Sequence, residues 1–281
     1  MTGGLQTRPY IGCAINSNLS IAAKISLADL SKNIAFFLWI CYILKVESNK
    51  KIACNVYEML LSGDCSGITS SGQFINIKID GFYLRRPISV CDYTDNSVTI
   101  IYKIIGKGTE AMSEMPIGTE LDVLVGLGNG YNLEKSGDKP LLLGGGAGVP
   151  PMYRLCKDLV KQGKTPSVVL GFNSACDVFY EQEFAALDVK VYVATADGSY
   201  GAKGFVTDVM KDLDYSYFYT CGPEPMLKAV CSTAVTSGQL SFEERMGCGF
   251  GACMGCSCKT LTGNKRICKE GPVFEKEEIL W

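Results

Sequence analysis

Leu141-Leu-Leu-Gly144-Gly-Gly-Ala-Gly148-Val-Pro150-Pro151 is the stretch on which the fold turns. A short apolar run passes into glycines, and the glycines open onto a helix-like segment, residues 150–161. A strand–glycine–helix junction lets backbone approach a dinucleotide pyrophosphate, whose charge the helix N-terminus favours. Gly144, Gly145, Gly146 and Gly148 are the candidate contacts. The run lacks the last glycine of G-x-G-x-x-G, so a tight strand-to-helix turn is the plain structural alternative. Downstream, residues 167–171, 189–194 and 217–220 read as strands, with helical segments at 181–187 and 207–211 between them. That alternation predicts a parallel sheet with crossover helices. Thr220-Cys221-Gly222-Pro223 closes the last of these strands, where open α/β sheets bind ligands. Cys221, Gly222 and Pro223 therefore join the candidate nucleotide residues, with Cys221 either beside a nicotinamide ring or a buried, inert thiol.

Upstream the texture is different. Residues 40–46, 56–61, 74–79, 98–105 and 121–127 are short apolar or alternating runs, separated by turn clusters such as Ser62-Gly-Asp64 and Ser70-Ser-Gly72. They predict a small antiparallel barrel of five or six strands. Within it lies Leu84-Arg-Arg86-Pro87-Ile88-Ser89. An arginine on a strand can neutralise a pyrophosphate, and a serine three residues on can reach a flavin edge, although a basic pair on a strand is commonly a solvated face. Ile101-Tyr102-Lys103 followed by Gly106-Lys-Gly108-Thr109 adds a strand ending in a glycine turn, which offers N–H groups and a hydroxyl to phosphate.

Beyond the α/β region come Cys248, Cys253, Cys256, Cys258 and Cys268. Cys248, Cys253, Cys256 and Cys268 have the C-x4-C-x2-C…C spacing of plant-type [2Fe-2S] ligands. The glycines among them permit the positive φ angles that turn thiolates and N–H groups toward a small anionic cluster. Structural zinc usually reads C-x2-C twice, and a disulfide framework needs an oxidising compartment and normally a smaller chain. Cys258, a fifth thiol in the loop, is an alternative to the third ligand.

Composition sets the outer bounds. The chain has 281 residues, 47% of them hydrophobic, which suits two ordinary domains and an appendage. A net charge of −2 gives no basic field, so nucleic acid is not an expected partner. Fourteen cysteines, nine of them scattered outside the 248–268 loop, indicate buried free thiols in a reducing cytoplasm. The absence of histidine excludes Ser-His-Asp and Cys-His sites, Rieske ligation and histidine acid–base work, and leaves hard chemistry to a cofactor. The apolar run from Ile34 to Leu44 is too short to span a bilayer unaided, and no signal-peptide cleavage site follows it. The expected division is an extension of unassigned role over 1–39, a barrel over 40–136, an α/β domain over 137–237 and a cysteine module over 238–281.

The barrel R-x-x-S, the α/β G-G-G-x-G and C-G-P-x-x-M together resemble the ferredoxin reductase superfamily. Arg85-Arg-Pro-Ile-Ser-Val-Cys-Asp92, Gly126-Leu-Gly-Asn-Gly130, Glu243-Glu-Arg-Met-Gly-Cys248 and Cys268-Lys-Glu-Gly-Pro-Val-Phe274 narrow this. Over residues 40–281 they resemble the electron-transfer subunits of NAD-dependent (class B) dihydroorotate dehydrogenases. The resemblance implies FAD in the barrel at Arg86, Pro87, Ile88, Ser89, Ile101, Tyr102, Lys103, Gly108 and Thr109. It implies NAD in the α/β domain and cluster ligation by Cys248, Cys253, Cys256 and Cys268. It further implies an FMN-bearing catalytic partner in pyrimidine synthesis and a heterotetramer with two of each subunit. Other flavin/iron–sulfur reductase subunits, of ferredoxin:NADP oxidoreductase or sulfhydrogenase type, share the same motifs. A non-enzymatic redox-sensing metal module leaves the glycine turn and the R-P-I-S segment without purpose.

Overall fold

The computed structural model describes residues 41–281, and the expected extension over 1–39 lies outside the described residues. Strands β1 (Cys41–Ala53), β2 (Val56–Ser62), β3 (Phe74–Ile77), β4 (Arg86–Thr94), β5 (Ser97–Lys103) and β6 (Glu120–Leu127) close into a barrel, in the order β1-β2-β5-β4-β3-β6. Alternation drives the closure: Leu44, Val46, Met59, Leu61, Ile75, Ile77, Ile100 and Val123 turn inward to one core. Closure also leaves no exposed strand edge. Strand β4 has no clear apolar run and was not legible as a strand from hydrophobicity. Between β5 and β6 a short helix α1 (Lys107–Ser113) stands where the glycine turn was expected.

The second half is a seven-stranded sheet. It is built from β7 (Pro140–Gly145), α2 (Val149–Lys161), β8 (Ser167–Phe172), α3 (Glu181–Ala185), β9 (Lys190–Thr195), β10 (Ala202–Lys203), α4 (Val206–Met210), β11 (Tyr217–Cys221), α5 (Glu224–Thr233) and β12 (Gly238–Ser241). A hairpin, β13 (Ser257–Thr260) and β14 (Gly263–Arg266), precedes the last strand, β15 (Val273–Glu275). Sheet order is β10-β9-β8-β7-β11-β12-β15, all parallel except the β12–β15 pair. The chain runs outward from β7 through β10, then returns to β11 on the other side. The switch point therefore lies between the carboxyl ends of β7 and β11, the place where such sheets bind ligands.

The cysteine segment is not a free appendage. Its first strand, β12, joins the central sheet beside β11, and its last, β15, forms the sheet's edge. The hairpin turns tightly at Leu261-Thr262: Thr260 pairs with Gly263.

An electrostatic clasp sets the barrel against the sheet. Asp92 of β4 receives Arg154 at 3.1 Å and Lys157 at 2.5 Å, both from α2. The Arg154 guanidinium also stacks over the Tyr93 ring at 3.8 Å and donates to the Tyr93 carbonyl at 2.6 Å. These groups are partly buried, which lessens solvent screening.

Candidate functional site

The glycine turn works by close approach. A Cβ on Gly148 would lie 2.2 Å from the Cys221 carbonyl oxygen, and one on Gly144 would lie 2.9 Å from the Val149 Cα. These two glycines let the β7 turn close against α2 and β11. Gly145 and Gly146 instead face a cleft of about 450 Å³, together with Pro223 and the barrel residues Val56, Ile101, Tyr102 and Lys103. Gly222 packs 3.4 Å from the Gly145 Cα, measured from its own ideal Cβ, so the two turns meet at the switch point. Cys221 does not line the cleft. It is fully buried, and burial pushes its thiol well above the ordinary range.

On the barrel side β5 divides its residues by the two-residue period of a strand. Ile101 joins the core shared with the α/β domain, and Lys103 reaches toward it to pair with Asp177 at 3.1 Å. Tyr102 points into the barrel, with its hydroxyl on Asn49 Oδ1 at 2.9 Å. Arg86 lies against the first turn of α1: a Cβ on Gly108 would fall 2.2 Å from Arg86 Nε. The guanidinium and the N-terminus of α1 thus meet in one place, an arrangement suited to a pyrophosphate. The Thr109 hydroxyl is not free for phosphate. It accepts from Ile105 N–H at 3.0 Å and donates to the Gly106 carbonyl at 3.1 Å, leaving Thr109 only its backbone N–H to offer. Ser89, Pro87 and Ile88 lie on the same strand as Arg86, and Ser89 is partly exposed.

The cysteine loop packs on the barrel. Phe74 of β3 and Leu124 and Leu127 of β6 share a core with Cys256, Cys268 and Phe274. Asn76 Nδ2 donates to the Cys248 carbonyl at 3.4 Å, and Gly249 sits directly against that amide. Asn76 is paired with Pro87 across β3 and β4. The loop therefore packs on the strand that neighbours the Arg86–Ser89 segment. The buried Asn76 Oδ1 has no partner among the described residues.

Within the loop, Gly249 at φ 82° and Gly251 at φ 93° adopt the left-handed backbone expected of the motif. Burial pushes the Cys248 thiol up, but N–H groups of Phe250, Cys253 and Ala252 and the Cys253 thiol bring it down to about 6. For Cys268, burial, a hydrogen bond with Cys256 and the charges of Cys256 and Cys248 push the thiol up to about 12. Cys268 N–H also donates to Cys256 Sγ at 3.4 Å. The thiols thus fall into two pairs, Cys248 with Cys253 and Cys256 with Cys268. No three metal-ligating side chains among the described residues converge on a single ion position. Four thiols in two pairs suit a two-iron cluster with two thiolates on each iron. Cys258 stands on β13 opposite Lys265, and its sulfur feels Glu278 and Lys265 as well as Cys256.

Comparison with known proteins fits this geometry. Residues 243–280 match the iron-sulfur cluster binding domain of dihydroorotate dehydrogenase B, and residues 142–232 match the oxidoreductase NAD-binding domain. The dihydroorotate dehydrogenase B (NAD(+)) electron transfer subunit of Bacillus pumilus is 46% identical over 250 residues, 84% of this chain and 96% of that protein. The chain belongs to this family. Another member, from Fusobacterium nucleatum, is 45% identical, over 83% of this chain and 96% of its own length. Among solved structures, an NADH-dependent reduced ferredoxin-NADP oxidoreductase superposes with a TM-score of 0.78 at 28% identity, covering 85% of this chain and 90% of that one. The family's ferredoxin reductase-like fold, with NAD-binding and iron–sulfur domains, is the one seen here.

Some residues at the site were not singled out from sequence. Asp177, Phe205 and Thr207 line the cleft, beside Met226 of the C-G-P-x-x-M motif. Asp177 had a usable signal, being an acidic residue just past the strand after the glycine turn. Asp197, past the end of β9, is outside the cleft lining; its carboxylate accepts from Ser199 N–H at 2.9 Å in a local turn. Asp92 and Asn129 belong to family motifs, but they serve the architecture. Asn129 N–H donates to the Gly271 carbonyl at 2.6 Å and ties the barrel to the end of the cysteine loop.

Proposed function

We propose that this chain carries electrons from the FMN of a dihydroorotate dehydrogenase catalytic subunit to NAD+, in pyrimidine biosynthesis. The observation that carries the reading is a contiguous layout. The cleft at the β7–β11 switch point is shared by barrel strand β5 and both nucleotide turns, and the cysteine loop packs one strand from the Arg86–Ser89 segment. When bound, a [2Fe-2S] cluster passes single electrons and FAD exchanges single electrons on one side and hydride on the other, which joins a flavin partner to a nicotinamide acceptor.

The chain's residues supply position. Cys248, Cys253, Cys256 and Cys268 hold the cluster, with Cys258 outside the set. Arg86, the backbone of Gly108 and Thr109, and Pro87 to Ser89 hold the FAD, and Ile101 to Lys103 border its cleft side. Gly145, Gly146, Gly222 and Pro223 receive NAD, while Gly144, Gly148 and Cys221 shape the turn behind them. With no histidine in the chain, proton handling is left to the bound cofactors and solvent. The working division is a barrel over 40–136, an α/β domain over 137–237 and a cysteine module over 238–281. The assembly is a cytoplasmic heterotetramer of two subunits of each kind. No helix among the described residues is long and apolar enough to cross a membrane.

The test is to purify the chain with its FMN-bearing partner and add dihydroorotate without oxygen. Bleaching of the flavin and cluster absorbance, restored by NAD+, is expected. A competent partner that turns over dihydroorotate with no reduction of NAD+ contradicts the proposal.

A further inference from the structure

Most of the described thiols outside the cluster loop are shielded. Cys65, Cys91, Cys156 and Cys221 are buried and Cys231 is half-buried. Burial pushes the Cys65 thiol up to about 11 and the Cys156 thiol up to about 12, which keeps them protonated and inert. Cys54 and Cys176 are the exposed ones, and the fold sets them side by side. Cys54 N–H donates to the Cys176 carbonyl at 3.0 Å. Such a bond between two residues sets their Cα atoms about 5–6 Å apart, inside the span of roughly 4.4–6.8 Å that a disulfide bridges. Cys54 belongs to the barrel, in the two-residue turn between β1 and β2, and Cys176 to the turn Ala175–Asp177 after β8. Both backbones are anchored. Ile104 N–H donates to the Asn55 carbonyl at 2.8 Å, and Ala175 N–H donates to Ser199 Oγ at 2.7 Å. The Lys103–Asp177 ion pair joins the same two turns beside them. In the reduced state the Cys176 thiol lies 3.3 Å from Ser174 Oγ, a contact that closure would exchange for Cys54.

We propose that Cys54 and Cys176 are a site of reversible disulfide formation that pins the barrel hairpin to the β8 turn. In a reducing compartment an exposed disulfide is a transient, responsive bond, not a structural staple. Closure takes a small-molecule disulfide as oxidant. One thiolate attacks it and releases one small thiol, and the second thiolate attacks the resulting mixed disulfide and releases the other. Two S–H bonds are lost from the chain and one S–S bond is gained, and the two protons and two electrons leave on the released thiols. Val56, two positions after Cys54, and Asp177, next to Cys176, both line the cleft. The bond therefore limits how far barrel and sheet can part there, and slows nucleotide exchange. That effect, unlike the bond itself, rests on reading the cleft as the nucleotide site.

The experiment treats the full-length chain, loaded with FAD and cluster, with oxidised glutathione in the absence of oxygen. Free thiols are then alkylated and the digest is read by mass. The expected product joins the Cys54 and Cys176 peptides, disappears with dithiothreitol, and is absent from Cys54→Ser and Cys176→Ser, with iron content unchanged. Two free thiols, glutathione held on either cysteine without the cross-link, or a cross-link to another cysteine overturns the proposal. In parallel, reduction of the FAD by NADH is expected to slow by about threefold or more on closure and to recover with dithiothreitol, while Cys54→Ser keeps its rate through the same treatment. A cross-linked chain that reacts at the untreated rate overturns the control of the cleft. An untreated chain that NADH does not reduce tells against the nucleotide reading, and the cross-link still decides the cysteine pair.

Discussion

Arg85 and Arg86 are neighbours with the same side chain, and the strand sends them to different work. Arg85 makes a bidentate pair with Asp122 at 2.9 and 2.8 Å and reaches the Asp122 carbonyl at 2.8 Å, so it fastens the start of β4 to β6. Arg86 has no carboxylate partner among the described residues; it stacks over Phe82 at 4.9 Å and lies against Gly108. Replacing Arg86 by Ala should therefore strip most of the FAD from the purified chain and leave the melting temperature of the apo-protein nearly unchanged. Arg85→Ala should do the reverse, with FAD retained at saturating concentration and stability down by about 1–3 kcal/mol in denaturant titration. The pair was legible in sequence as a pair, but which arginine stays available depends on Asp122, thirty-seven positions away. The cysteines separate in the same manner. Cys253→Ser should remove the cluster, read as iron content and visible absorbance, while FAD largely remains. Cys258→Ser should keep it, because that sulfur lies on the hairpin beside Lys265 and Glu278.

At the scale of elements, the features that read clearly were those with a local cause. The parallel strands β7, β8, β9 and β11 showed as apolar runs, α2 showed through prolines in its first turn, and the cysteine loop showed through its spacing. Strand β4 was legible only at its arginine end, and helix α5 was missed, for physical reasons. Strand β4 mixes Arg86, Asp92 and Thr94 with apolar residues because much of it is half-buried, and α5 opens on Glu224-Pro225, which reads as a loop although proline is well placed in a first turn. The edge pair β12–β15 was missed because its partners are far apart in sequence: Ser241 pairs with Val273. That edge carries a pH prediction. Burial raises the Glu275 carboxyl, but hydrogen bonds from Lys135, Gln239 and Tyr217 outweigh it and hold the group below its ordinary value. A carboxyl depressed in the folded state stabilises above its unfolded value, about 4.3, and loses that contribution as pH falls through the lower folded value. Glu275→Gln should be less stable than wild type at neutral pH, and the gap should close as the solution is acidified below about 4.3, followed by thermal melts across pH.

For the whole molecule, the order of motifs was readable and their meeting was not. Nothing in the sequence states that Asp92, at the end of the R-P-I-S segment, receives Arg154 and Lys157 from the helix after the glycine turn. That clasp and a shared apolar core of Val56, Cys91 and Ile101 with Met152, Phe172 and Tyr180 join the barrel to the sheet beside the cleft. Residues 39–281 form a compact unit by themselves, so removing residues 1–38 should leave FAD and iron content unchanged; loss of soluble, loaded protein on truncation would contradict this. The central claim is that the cysteine loop is a relay between a partner flavin and the nucleotide cleft. It is tested most directly by following NADH formation from dihydroorotate, without oxygen, with the FMN-bearing partner combined with wild type or with Cys253→Ser. The wild-type chain should give one NADH per dihydroorotate consumed, and the FAD-loaded Cys253→Ser chain should give almost none. NADH formation at the wild-type rate by the cluster-free variant would contradict the account.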